Sequence, residues 1–276
     1  MSKKIIAIIL AALAVISCVA LAGCGAKKDT AAPSDTSSTE AAPQKFIMGI
    51  DPEYPPFSEL GADGTYTGFD VEVCKAVCDY LGWEFEAFAV NWDEKLIQLD
   101  AHECDCIWSG MTILPSMKEA GYVISNPYFD NTQVILVKDG SEIASSKDLA
   151  GKDVAVMLGT SGETLLNGDL RDLTDTFNEL ITCESFLKCF TELSGNAVDA
   201  VIVDKPVAEK YAAENAGFKV LDEELGAEQY GIAFRAGDES LCLQVETALN
   251  ALVENGTYEQ IADKYPDIKG NLIYIN

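Results

Sequence analysis

The sequence predicts an α/β fold in which mainly parallel sheets are covered by helices on both faces. Three observations carry that prediction. Short strand-like runs bounded by turn residues recur at 46–50, 84–89, 154–158 and 199–203, and runs of that length read as strands rather than helices. Between them lie segments whose apolar residues repeat at helical spacing. Runs such as AVIV at 200–203, within the strand at 199–203, are apolar at successive positions, as suits strands buried on both faces.

Residues 46–50 form the first strand, followed by the proline-rich loop DPEYPPF at 51–57. A helix opens at Phe69-Asp70, with Asp70 as N-cap, Val73, Val77 and Tyr80 on its apolar face, and Gly82 as its stop. Residues 84–89 form the second strand, 94–100 a helix, 104–108 the third strand and 133–138 the fourth. The second half repeats the style, with a strand at 154–158, a helix from Gly162, a strand at 199–203 and a helix over 205–215. Pro206 suits the first turn of that helix, so the bare structural role of Asp204 is to cap it. The C-terminal region is helical over 241–254, stops at Asn255-Gly256 and resumes over 258–264.

The N-terminal segment stands apart. Lys3 and Lys4 precede an almost unbroken apolar run over 5–22, which ends in Leu21-Ala22-Gly23-Cys24. A basic start, an apolar stretch and small residues before a cut mark a secretory signal over 1–23, to be set aside from the fold. Leu-Ala-Gly-Cys resembles a bacterial lipobox, which implies cleavage before Cys24 and a diacylglycerol on its sulfur. Residues 24–44 then form a linker without aromatic or branched aliphatic residues after Cys24. Such a segment cannot bury enough apolar surface to offset the entropy of ordering, and reads as a flexible stalk. The expected location is the outer face of a bacterial cell membrane, or the periplasmic side.

The chain carries 19 Lys and Arg against 45 Asp and Glu, a formal net charge of −26. No basic face is on offer for phosphates, so nucleic acid is not expected as a partner. The acidic residues are dispersed, which fits solubility. Beyond Cys18 and Cys24, seven cysteines remain: Cys74, Cys78, Cys104, Cys106, Cys183, Cys189 and Cys242. An odd number leaves at least one thiol unpaired within the chain. Cys74 and Cys78 sit i,i+4 with Val71 and Leu81 and behave as small core hydrophobes. Cys104 and Cys106 share one face of a strand beside His102, the single histidine, but no paired CxxC spacing supports a zinc site. No metal and no cofactor are expected.

Three loops at strand ends carry binding potential. In DPEYPPF, prolines stiffen the presentation of Tyr54 and Phe57 where ligands of open α/β sheets bind. Ser109-Gly110-Met111-Thr112 offers amides and two hydroxyls after the third strand. Leu158-Gly159-Thr160-Ser161-Gly162-Glu163 joins a strand to a helix with small residues, which lets a ligand approach backbone N–H groups. It lacks the lysine of a nucleotide-binding loop.

Eight motifs in order, GIDPEYPPFS, GTYTGFDVEV, DCIWSGMTI, SNPYFDNTQVIL, DLAGKDVAVMLGTSGE, VDAVIVDKPVAEKY, YGIAFRAGD and NGTYEQIADKY, resemble the solute-binding proteins of ABC transporters for polar amino acids, family 3. The resemblance runs over most of 45–268. It implies a two-lobed periplasmic-binding-protein-like fold, with lobe 1 from 45–132 and 235–276, lobe 2 from 137–229, and hinge strands near 133–136 and 230–234. An amino acid or derivative would sit in the cleft, and the closed complex would be delivered to a permease. Tyr54 would cover the ligand side chain with Asp51 at the pocket edge, and Trp92 and Ser109 join the ligand-facing set. Gly110 and Thr112 would hold the α-carboxylate from lobe 1, Thr160 and Ser161 would hold it from lobe 2, and Asp204 would pair with the α-ammonium.

One departure stands out. The family places an arginine shortly after the threonine as a bidentate carboxylate clamp. Counting forward from Thr112 lands on Met117, whereas counting back from Ser125-Asn126-Pro127-Tyr128 lands on Lys118. A lysine would supply charge without the fork. Two other classes share the architecture, an exported dehydratase-like enzyme and an extracytoplasmic ligand sensor. An enzyme would need an acid or base at the cleft, drawn from Asp51, Glu163 or Asp204.

Overall fold

The computed structural model describes residues 44–275. The signal segment, Cys24 and the linker as far as residue 43 lie outside the described residues. Strand β1 (Lys45–Ile50) leads into a small antiparallel sheet of β2 (Glu53–Tyr54), β3 (Ser58–Leu60) and β4 (Tyr66–Thr67). Helix α1 (Phe69–Leu81) and β5 (Glu84–Ala89) follow. A 3₁₀ turn at Trp92–Glu94 continues as α2 (Lys95–Asp100), then come β6 (Cys106–Ile107), α3 (Pro115–Glu119) and β7 (Val123–Ile124). The second half comprises β8 (Phe129–Lys138), β9 (Asp153–Met157), α4 (Ser161–Asn167), α5 (Arg171–Thr174) and β10 (Glu179–Cys183). It continues through α6 (Phe186–Ser194), β11 (Ala200–Asp204), α7 (Lys205–Glu214), β12 (Phe218–Val220) and β13 (Gly226–Tyr230). Strand β14 (Ala233–Phe234) precedes α8 (Glu239–Glu254), α9 (Thr257–Ala262) and α10 (Pro266–Lys269).

These strands form two five-stranded paths. The first runs β5-β1-β6-β14-β7, and the second runs β10-β9-β11-β8-β12 with β13 added on β8. Each has a parallel core, β5-β1-β6 and β10-β9-β11, bordered by antiparallel strands. The chain passes between sheets twice, through 125–128 and through 231–232. The two passages run side by side: Ser125 N–H donates to Ile232 O at 2.9 Å and Tyr128 N–H to Tyr230 O at 2.9 Å. Residues 133–136 lie beyond this passage, paired with β11 and β12 inside the second sheet.

Three local expectations are corrected. Helix α1 is capped at Gly68, not by Asp70, and no side chain caps it. Gly68 sits at φ +116, and a Cβ there would lie 2.4 Å from Phe57 O. Asp70 instead turns inward and is fully buried. Its Oδ2 accepts Gly110 N–H at 2.8 Å and Tyr128 O–H at 2.7 Å, tying the start of α1 to the loop after β6. Tyr80 is half exposed rather than core-facing, while Val73 and Val77 are buried as their spacing requires. The 51–57 loop is part of the small hairpin sheet.

Aromatic rings fill the space behind that loop. Phe57 packs edge-on to Phe129 at 5.1 Å and to Tyr230 at 5.4 Å, while Phe129 stacks on Tyr230 at 5.3 Å. Such contacts add to the transfer free energy of the buried rings. All seven cysteines of the described residues are free thiols and all are buried. Cys104 packs so closely on β1 that a Cβ at Gly49 would lie 2.9 Å from its sulfur.

Candidate functional site between the two sheets

The parallel strands β1, β6, β9 and β11 all end toward one region, where Ile50, Ile107 and Met157 hand over to loops and Asp204 to α7. Carboxyl ends of parallel strands are where open α/β sheets bind ligands. Here a pocket is lined among others by Asp51, Tyr54, Trp92, Thr112, Ser161 and Asp204. Gly110 and Thr160 also line it.

Two predicted residues are placed elsewhere. Ser109 is buried behind the wall: its Oγ accepts Asp51 N–H at 3.1 Å and bonds Ser58 Oγ, which donates to Asp51 O at 2.7 Å. It therefore fixes the backbone of Asp51 and does not line the cavity. Lys118 is exposed and outside the lining, whereas Met117 is buried and faces the cavity. Neighbouring residues of α3 point about 100° apart, so only one of the two can face inward.

One end of the cavity is built around Asp204. Its Oδ1 accepts Asn131 Nδ2–H at 2.7 Å, Gln133 Nε2–H at 2.7 Å and Tyr230 O–H at 3.0 Å. Tyr54 O–H in turn donates to Tyr230 Oη at 2.7 Å, because the Tyr230 proton is committed to Asp204. Asn131 and Gln133 also donate to Glu228 Oε1, at 2.6 Å and 3.0 Å, so two carboxylates share two amide groups. Burial, and after it the neighbouring Glu228 carboxylate, push the Asp204 pKa up to about 8 against the pull of Tyr230 and Gln133. A buried acid beside a second, half-buried carboxylate holds a proton unless a cation replaces it. Asp204 occupies the capping position of α7 without making a side-chain cap bond, so its carboxylate is not tied to the helix.

The other end holds Asp51 and Lys95. Asp51 Oδ1 accepts Glu53 N–H at 2.9 Å, and burial pushes its pKa up to about 6. Lys95 Nζ donates to Trp92 O at 2.9 Å and, from the other half of the chain, to Gly159 O at 2.8 Å. Between the two ends, Gly110 adopts φ +53, and a Cβ there would fall 2.2 Å from Tyr54 Cε1. Only glycine lets the Tyr54 ring lie against this backbone. In the loop after β9, Thr160 Oγ1 donates to Met157 O at 2.7 Å and accepts Glu163 N–H at 3.3 Å. Its hydroxyl is thus spent on the loop. Ser161 Oγ accepts from Gln133 at 3.2 Å and retains its own proton to donate.

Sequence reasoning missed Lys95 and Phe186 in the lining, and Asn131, Gln133, Glu228 and Tyr230 behind Asp204. Tyr230 and Gln133 were legible only as hinge residues, since nothing local in YGIAF or NTQVIL marks a contact with a residue so distant in sequence. His102 is exposed in a turn and does not line the cavity. Among the described residues, no group of three His, Cys, Asp or Glu side chains is placed to hold a metal ion, and no helix is long and apolar enough to cross a membrane.

The chain is 31% identical over 263 residues to the probable histidine-binding protein of Neisseria gonorrhoeae, covering 93% of this chain and 94% of that one. Among solved structures it resembles an ancestral arginine-binding protein bound to arginine, with TM-score 0.74 and 33% identity, covering 80% of this chain and 97% of the other. It also resembles the ancestral amino acid-binding protein AncCDT-1, a precursor of cyclohexadienyl dehydratase, with TM-score 0.72 and 32% identity over 80% of this chain and 94% of the other. Residues 46–267 match the bacterial extracellular solute-binding proteins, family 3. The fold, the loops at the strand ends and this match agree: the chain belongs to family 3 of the bacterial extracellular solute-binding proteins.

Proposed function

We propose that this protein captures an α-amino acid or amino-acid derivative in the cavity between its two sheets and delivers it to an ABC permease. The observation that carries this reading is Asp204, a buried acid crowded by Glu228 and lining the cavity. A ligand ammonium is the cation that would displace its proton. The carboxylate would meet Thr112 from one half, and the Ser161 hydroxyl and the amides at 160–161 from the other. Ligand would therefore favour the closed arrangement, since only there do both halves contact it, and it shifts the equilibrium by its differential affinity for the two states. Lobe 1 then corresponds to 45–124 with 233–276 and lobe 2 to 129–230, and the paired passages at 125–128 and 231–232 serve as the hinge. Lipid on Cys24 and the linker would tether the body to the outer face of the cell membrane, or to its periplasmic side.

The resemblance to a dehydratase precursor keeps a second reading in view, in which a protonated Asp204 acts as an acid on a bound carboxylic acid. One experiment addresses both. The body from residue 44 is screened by thermal shift against the proteinogenic L-amino acids and L-cystine, and each stabilising compound is recovered and analysed. Binding with unchanged compound is expected. No stabilisation by any member would refute the amino-acid reading, and recovery of a converted compound would favour the enzyme.

A further inference from the structure

Lys95 is the one cationic side chain that lines the cavity among the described residues. Of the two residues counted for the arginine position that the resemblance implies, Met117 is buried, apolar and lines the cavity. Lys118 points to solvent. Whatever positive charge the ligand meets therefore comes from Lys95.

Its surroundings are unusual for a lysine. The Nζ bonds two backbone carbonyls, Trp92 O and Gly159 O, and lies over the Trp92 ring at 4.7 Å from the centroid. Among the described residues no carboxylate comes within 4.0 Å of it, although Asp93, Asp51 and Glu163 act on it from further away. Desolvation pulls its pKa down to about 8. An ammonium has three N–H donors, and two of them are spent on carbonyls. A partly dehydrated cation without a contacting anion is costly to maintain, and the cost falls when an anionic or acceptor oxygen is brought to it. The groups that act on Lys95 also differ from those around Asp204, which are Glu228, Tyr230, Tyr54, Asn131 and Gln133. The cavity thus has two separate poles, one built of paired acids and one carrying a lone cation beside Asp51.

We propose that Lys95 sets the specificity of this site: it selects amino acids whose side chain ends in an acceptor oxygen, a carboxamide or carboxylate, and rejects those ending in a cation. This deepens the amino-acid reading above and rests on it. The ligand ammonium meets the Asp204 pole, and the side-chain oxygen takes the remaining N–H of Lys95. A guanidinium or a protonated imidazole would instead bring like charge against an ammonium that has no counter-ion in contact, and a site rejects a competitor by such repulsion as much as by attraction to its own ligand. On this basis the ligand differs in class from arginine and histidine, for which several of the relatives are named.

The test uses the protein as wild type and as Lys95→Met, which keeps the stem over Trp92 but removes the charge. Dissociation constants are measured for L-glutamine, L-glutamate, L-arginine and L-histidine. The wild type is expected to favour L-glutamine or L-glutamate over L-arginine by tenfold or more, and Lys95→Met to reduce that ratio at least tenfold. Because the readout is a ratio, a uniform loss of affinity from damaged packing does not mimic it, and Lys95→Arg is expected to restore the preference. Equal or tighter wild-type binding of L-arginine, or an unchanged ratio in Lys95→Met, would overturn the assignment. If none of the four amino acids binds wild type, this proposal fails. The amino-acid reading fails only if the wider screen is also empty.

Discussion

Ligand binding should expel a proton from the Asp204 pole. In the free protein, burial and Glu228 hold the Asp204 pKa at about 8, so at pH 6 to 7 the carboxyl is protonated and cannot pair with an ammonium. Binding requires the ionised form, and affinity must rise with pH until the pKa is reached. One proton displaced per ligand makes the dissociation constant fall about tenfold per pH unit below that point, or roughly fiftyfold from pH 6 to pH 8. The same shift sets a stability trend. A raised pKa means that the contribution of this group is complete at low pH and is lost as pH climbs from the ordinary carboxylate range toward 8. The free protein should therefore gain more in Tm from ligand at pH 8 than at pH 5. Calorimetric titration of the strongest-binding amino acid, in buffers of different ionisation enthalpy, counts the protons directly. Close to one is expected at pH 6.5 and close to none at pH 9. Asp51 and Lys95 titrate in the same window, so Asp204→Asn is the control. It should abolish the proton release and weaken binding by about 2–5 kcal/mol, the usual cost of removing one partner of a buried charge pair. A flat dissociation constant between pH 6 and 8 with no proton released would refute the reasoning.

Two further outcomes follow from the same geometry and from the N-terminal segment. Gly159 sits at φ +73, and a Cβ there would lie 2.7 Å from Asp93 Cα in the other half, so Gly159→Ala should weaken binding of the strongest-binding amino acid at least tenfold, beyond the roughly 1 kcal/mol of left-handed strain it adds to the free protein. Titration together with solution scattering checks this, and wild-type affinity in the variant would remove closure from the mechanism. Cys24→Ala should release or misprocess the protein in its host, and mass spectrometry of the mature N-terminus decides the point, since an unmodified terminus elsewhere would eliminate the lipid tether.

The alternation of strands and helices was legible because it depends on local spacing, and β1, α1, β9, β11 and α7 lie within a residue or two of their expected bounds. What misled was chemistry that looks local and is not. Asp70 has the residue type and position of a helix cap, but tertiary donors at Gly110 and Tyr128 outbid the helix for its carboxylate. Ser109 looked like a ligand contact because it neighbours Gly110, yet its hydroxyl turns inward to hold the backbone of Asp51. The strand and helix over Glu179–Ser194 went unread, so Phe186 was missed as a wall of the cavity. The doubt between Met117 and Lys118 was one of helix phase, which a single turn of sequence cannot fix. Lys95 had no motif at all: its role comes from the Gly159 carbonyl, brought to it by the other half of the chain.

The buried thiols have a practical consequence for studying motion in this protein. Cysteine labelling normally begins by removing native thiols, because any exposed one captures the dye. Here burial raises the pKa of Cys104, Cys106 and Cys242 and leaves little thiolate to react. Cys183 differs, because a hydrogen bond from Cys189 stabilises its thiolate, though it is itself 5% exposed. A single change, Cys183→Ser, should leave a body on which two introduced surface cysteines, one in each half, carry a donor and an acceptor fluorophore. The tight seat of Cys104 against Gly49 adds a reason to leave the remaining thiols in place, since replacing them would repack the strand that positions Asp51. The distance between the halves then becomes measurable one molecule at a time, on nearly the native chain.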